Sequence, residues 1–225
     1  MPILLVLLKI KIMSYIIPFI EARPVLASAL KYVILNNKTN FAPYHNLHHM
    51  TRVTYHSHRI ISHDYSNILS NNQINDVLIA CLFHDMNHSL GKLPDSENIL
   101  NAVTAFQNWY ELSEDASEVD PDAVVGIIAA TEYPYVIPAD KLTDQQKIIR
   151  DADLMISMDN DVINTIVIGL KEEMGVDSVL DVVKGNIKFH ENIKFNTEYG
   201  QVIYETNWKP LITLRSLKNI LENDN

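Results

Sequence analysis

Residues 73–88 read Gln73-Ile74-Asn75-Asp76-Val77-Leu78-Ile79-Ala80-Cys81-Leu82-Phe83-His84-Asp85-Met86-Asn87-His88. Ile74, Val77, Leu78, Cys81 and Leu82 recur at the three- and four-residue steps that line one face of a helix. The spacing predicts a helix from Gln73 to His88 that ends in a His-Asp pair, with His84 and His88 one turn apart.

The same periodicity extends outward in both directions. Helices are expected over Arg23 to Asn36, Asn46 to His63, Asp95 to Leu112, Val162 to Glu173, Val179 to Phe189, and Thr197 to Leu221. Asp120-Pro121 is a start signal, an N-cap acid followed by proline at the first helical position, and it opens Asp122 to Thr131. Thr143 or Asp144 can cap the next segment, which runs through Ile148, Ile149 and Leu154 to about Met158. Glycine and proline sit mainly between these segments, and no alternating strand pattern, internal repeat or linker interrupts them. The expected fold class is all-α: a single helical bundle over residues 23–225, preceded by an N-terminal extension or docking segment over 1–22.

The 225 residues are enough for one well-buried core without disulfides. The formal charge is -10, which argues against duplex nucleic acid or an anionic membrane as the main partner. The lone Cys81 fits a reducing compartment. The apolar run Ile3 to Leu8 is too short to span a bilayer, and its lysines follow rather than precede it, unlike a signal peptide. A cytoplasmic chain is expected, with translation starting at Met1 or Met13.

Histidine is the informative residue. Eight of nine lie between residues 45 and 88, and the other is His190. His45 and His49 are one turn apart on the expected Asn46 helix. Asp85 beside His84 can put a carboxylate oxygen and an imidazole nitrogen on one cation, and His49 with a later acid would complete a His₂Asp₂ set. Ile148-Ile149-Arg150-Asp151-Ala152-Asp153-Leu154-Met155 places two acids in an apolar helix, where an unpartnered carboxylate is costly. Asp153 is expected to be the more inward and to ligate, with Asp151 available to orient a ligating histidine. His48, His58 and His63 read as solvated. Trp109 and Tyr110 read as packing residues, and the acids from Glu111 to Asp120 as a solvated helix end and loop.

These residues resemble the HD-domain metal-dependent phosphohydrolases, and within them the class I cyclic-nucleotide phosphodiesterases. Tyr44-His45-Asn46-Leu47-His48-His49, then Val53, is similar to their Tyr-His-Asn-x-x-His-x-x-x-Val signature. His84-Asp85-Met86-Asn87-His88 resembles their His-Asp-x-x-His, Ala130-Thr131-Glu132 their Ala-Thr-Asp, and Ala152-Asp153-Leu154 their Ala-Asp-Leu. Gln201-Val202, then Pro210-Leu211, is similar to the stretch that carries their base-holding glutamine. Arg52 departs from the family aspartate, and Ser89-Leu90 precede Gly91 where the family has an earlier glycine.

The resemblance implies an HD-type bundle holding His49, His84, Asp85 and Asp153 on a divalent ion: Zn²⁺, Fe²⁺ or Mn²⁺. A second ion, Mg²⁺ or Mn²⁺, would sit mainly on a bridging Asp85 and waters, because no histidine lies between His88 and His190. It implies His45 as the acid for the leaving oxygen, and His88 and Glu97 to bind or orient metal waters. Tyr44 and Gln201 would contact a nucleotide or other small phosphoester. The implied reaction opens a 3′,5′-cyclic nucleotide to its monophosphate. A phosphomonoesterase on the same metal core, or a non-catalytic HD ligand-binding module, are the alternatives.

Overall fold

A computed structural model describes Ile20 and residues 22–223. The apolar N-terminal run and the choice between Met1 and Met13 fall outside the described residues. These residues form ten α-helices and no strand. They are α1 Pro24–Asn36, α2 Leu47–Ile60, α3 Asn71–Phe83, α4 Asp95–Leu112, α5 Pro121–Ala129, α6 Asp144–Met155, α7 Gly169–Met174, α8 Val179–Asn192, α9 Glu198–Thr206 and α10 Lys209–Asn223. None of them is long and apolar enough to cross a membrane.

The core is built around α3. A Ser70–Gln73 capping box starts this helix, each side chain bonding the other's backbone N–H. Sequence periodicity predicts one apolar face; instead every side chain from Asn75 to Phe83 is buried. The cause is enclosure, since α1, α2, α5 and α6 all pack on α3. Phe83 continues into an aromatic cluster, its ring centroid 5.7 Å from Phe106 and 5.6 Å from Trp109. Each such ring contributes roughly 1.5–3 kcal/mol by leaving water.

Several boundaries differ from the sequence expectations. Helix α3 stops at Phe83, because Asn87 takes a left-handed φ of 62° and turns the chain away. That conformation is held by Asn87 N–H donating to Asn37 Oδ1, while Lys38 N–H donates to Asn87 Oδ1. His88 therefore lies in a turn rather than on a helix. His45 likewise precedes α2, because Asn46 caps that helix by accepting from His49 N–H. The segment 162–173 opens as a wider π-type stretch, Ile163–Ile168, before α7, which Gly175 terminates at φ 63°. The long helix expected over Thr197 to Leu221 is two. Pro210 is tolerated only in a first turn, so α10 starts afresh at Lys209, and Asn207 Nδ2 donates to Met158 O at the break.

Candidate metal centre and its cavities

Three helices deliver the ligand set. His49 comes from the first turn of α2, His84 and Asp85 from the turn just past α3, and Asp153 from the last turn of α6. Asp85 Oδ2 lies 2.9 Å from His49 Nε2 and 3.1 Å from His84 Nε2. Asp153 Oδ1 lies 3.2 Å from His49 Nε2 and 4.0 Å from His84 Nε2, and the two Nε2 atoms are 3.2 Å apart. Ligand atoms on one ion with bonds of about 2.0–2.2 Å are neighbours at about 3 Å, so this donor set can hold a divalent metal ion.

Protonation chemistry supports the fit. His84 Nδ1 faces Cys81 O at 2.9 Å, so Nδ1 carries the proton and the Nε2 lone pair points into the cluster. Buried His49 Nδ1 has no hydrogen-bond partner among the described residues. Burial disfavours a charge on His49, yet hydrogen bonds from its ring to Asp153 and Asp85 outweigh it and push its pKa up to about 10. Burial also opposes charge on Asp85, yet His84 and His45 hold its carboxyl well below the usual range. The two carboxylates thus draw a cation into the cluster, either protons on the imidazoles or a metal that displaces them.

The two acids of α6 reverse the expected order of burial, while Asp153 keeps the expected place beside the histidines. Asp151 is the fully buried one, and it does not reach a histidine. Its Oδ1 accepts from the Asn196 N–H and side-chain amide, and its Oδ2 from the N–H and hydroxyl of Thr197. Asp151 thereby latches the turn before α9 onto α6. Asp153 remains partly open, and it lines both the metal pocket and the adjoining cavity. Alternation along two residues of a helix cannot show which acid meets a distant turn.

A second cluster stands beside the first. His45 and His88 stack, ring centroids 3.7 Å apart and 24° between planes. Glu173, from α7, bonds the His45 ring through Oε1, and its Oε2 accepts from the N–H groups of Tyr44 and His45 at 2.9 and 3.0 Å. A Cβ on Gly169 would come within 2.9 Å of Pro43 O, so the glycine lets α7 approach closely enough for that contact. His45, His88 and Glu173 form a compact donor set too. Stacked rings point their lone pairs side by side, however, and Glu173 is already satisfied, so the set orients His45. The sequence reading missed Glu173; its only signal is an acid on an otherwise ordinary exposed-looking segment, Leu170-Lys171-Glu172-Glu173.

His88 Nδ1 accepts from Leu90 N–H, and its Nε2 meets the Asn98 amide at 2.9 Å. Asp95 and Asn98 line the metal pocket, whereas Glu97 is exposed on the other side of α4 and does not line it, a correction to the expected role. Gln201 is also corrected. It is exposed on α9, where its amide donates to Phe195 O, and it lines none of the pockets around the metal centre. The departure at Arg52 has a local explanation, because its guanidinium pairs with Asp159 beyond the end of α6.

The metal pocket, about 120 Å³, shares Tyr44, His45, Thr131, Tyr133 and Asp153 with an adjoining cavity of about 280 Å³. The far wall of that cavity carries Asn186 and Phe189, one turn apart on α8, together with Leu154, Ile166 and Leu170. Asn186 Nδ2 donates to Val182 O, which leaves its amide oxygen for another donor. Comparison with models of known families finds none that matches this chain, and comparison with curated proteins finds no significant match.

Proposed function

We propose that the chain is a metal-dependent phosphodiesterase of the HD type, opening a 3′,5′-cyclic nucleotide or a comparable small phosphodiester. One observation carries the reading: His49, His84, Asp85 and Asp153 meet beside a carboxylate-held His45 at the foot of an apolar cavity. A His₂Asp₂ set suits Zn²⁺, Fe²⁺ or Mn²⁺, and a second, water-rich position beside Asp85 suits Mg²⁺ or Mn²⁺. Divalent ions bound there supply an activated water and neutralise charge at phosphorus.

The chain's own residues do the rest. Glu173 takes the Nδ1 proton of His45 as a hydrogen bond and fixes the tautomer, so Nε2 is the atom that exchanges a proton. As the phosphorus–O3′ bond breaks, Nε2–H donates to the leaving oxygen. Tyr44, Leu154 and Phe189 offer apolar surface to the organic part of the substrate, and the Asn186 amide oxygen accepts from a donor on it.

Purified protein loaded with Mn²⁺ and offered cyclic and linear nucleotides tests the reading. Ring opening yields a monophosphate and no free phosphate, whereas release of phosphate would point to a phosphomonoesterase on the same core. Asp85→Asn is expected to lose both bound metal and hydrolysis, and retention of both sinks the site.

A further inference from the structure

A cavity of about 630 Å³ lies apart from the metal pocket. It adjoins the 280 Å³ cavity, sharing Tyr133, Tyr135, Leu154 and Phe189 with it, and that cavity in turn shares Tyr133 and Asp153 with the metal pocket. Ligand pockets typically run from about 300 to 1,000 Å³. The inner cavity falls just below that range by itself, and the outer one lies well within it.

Its charge runs against the rest of the molecule. The chain has 28 acids against 18 bases, yet the outer cavity is lined by Arg150, Lys188 and Lys194 and by no Asp or Glu. Arg150 is 3% exposed. Its Nε donates to Ala130 O, its Nη1 to Ile137 O, and its guanidinium lies 4.1 Å over the Tyr135 ring. Nη2 is buried and has no partner among the described residues, a costly state for a guanidinium N–H unless an acceptor arrives. Neither lysine is paired with a carboxylate among those residues. Arg150 and the ligand Asp153 sit three residues apart on α6, so the cationic position and the metal position are neighbours on one face, about 4.5 Å apart along the axis.

Resting on the phosphodiesterase reading above, we infer that the outer cavity takes a second phosphoryl group. The substrate class is then a phosphodiester that carries a further phosphate, two nucleotides in size rather than one. The scissile phosphate lies at His49, His84, Asp85 and Asp153. The terminal phosphate meets Lys188, Lys194 and the unspent N–H of Arg150. Tyr133, Tyr135 and Phe189 offer ring faces to the intervening base.

The test compares adenylyl-(3′→5′)-adenosine with and without a 5′-phosphate. Binding of each to the full chain is measured by calorimetry in chelator, where nothing is hydrolysed. The phosphorylated form is expected to bind about tenfold tighter. That preference should collapse towards one in the Lys188→Ala/Lys194→Ala double variant, whose exposed side chains leave the core untouched. Equal affinity of the wild-type chain for the two dinucleotides overturns the inference, and so does a preference that survives the double substitution. Hydrolysis with Mn²⁺ is followed separately. A lysine-dependent preference without hydrolysis of any phosphodiester keeps the subsite and sinks the phosphodiesterase reading. Hydrolysis of cyclic nucleotides without that preference does the reverse.

Discussion

Glu173 spends both carboxylate oxygens on one dipeptide, holding the backbone of Tyr44 and His45 and the His45 ring together. An imidazole fixed in this way transfers its proton from a single atom, and general acids of this kind contribute about 10²–10⁴-fold. His45→Ala is therefore expected to retain its bound metal and to lose hydrolysis by that order, with metal content and turnover measured on one sample. Glu173→Gln should keep metal and substrate affinity, lower kcat, and alter the pH profile of kcat; an unchanged profile would remove Glu173 from the proton path. At this scale the sequence was readable wherever residue type and chemistry coincide. His49, His84, Asp85 and Asp153 were nominated from their types and spacing, and the structure brings them together. Glu97 and Gln201 were nominated from local likeness alone, and both are exposed away from the centre. Glu173 and Asn186 were missed, because what singles them out is a partner more than a hundred residues away or the wall of a cavity.

Among elements, α3 concentrates the buried polar groups as well as the core. Asp76 is 2% exposed near its middle, accepting from Asp120 N–H at 3.0 Å beneath the N-terminus of α5. Burial, with the Asp120 carboxylate nearby, pushes its pKa up to about 6 from the ordinary 3.8. A raised carboxyl favours the fold while it is protonated, so its contribution is full below about pH 4 and is lost as pH rises through 6. At about 1.4 kcal/mol per pH unit, Asp76→Asn is expected to stabilise the fold by about 1–3 kcal/mol at pH 8 and by almost nothing at pH 4. Denaturant unfolding at the two pH values checks this, and an equal shift at both would assign the effect to packing. Helix starts were the legible part of the elements. Asp120-Pro121 and Thr143 act as the caps their types predict. The endings were less so, because the left-handed turn at Asn87 is set by Asn37 and Lys38, which come from a different part of the chain.

Across the whole molecule, the ligand set ties α2, α3 and α6 at one point. An ion at a hundred times its dissociation constant stabilises a fold by about 2.7 kcal/mol, which for a chain of this size raises Tm by about 5–10 °C. Scanning calorimetry with Mn²⁺ and then with chelator should show that difference. Asp153→Asn should abolish most of it, and a Tm indifferent to metal would argue against a preformed site. The all-α class was legible because helical periodicity persists through the sequence, while the stacking of three cavities was not, since each wall draws on helices far apart in the chain. The spacing of the ligands also gives the site a history. Asp153 follows Asp85 in the chain only after α4 and α5. The four-residue set is therefore complete only once α6 has been made.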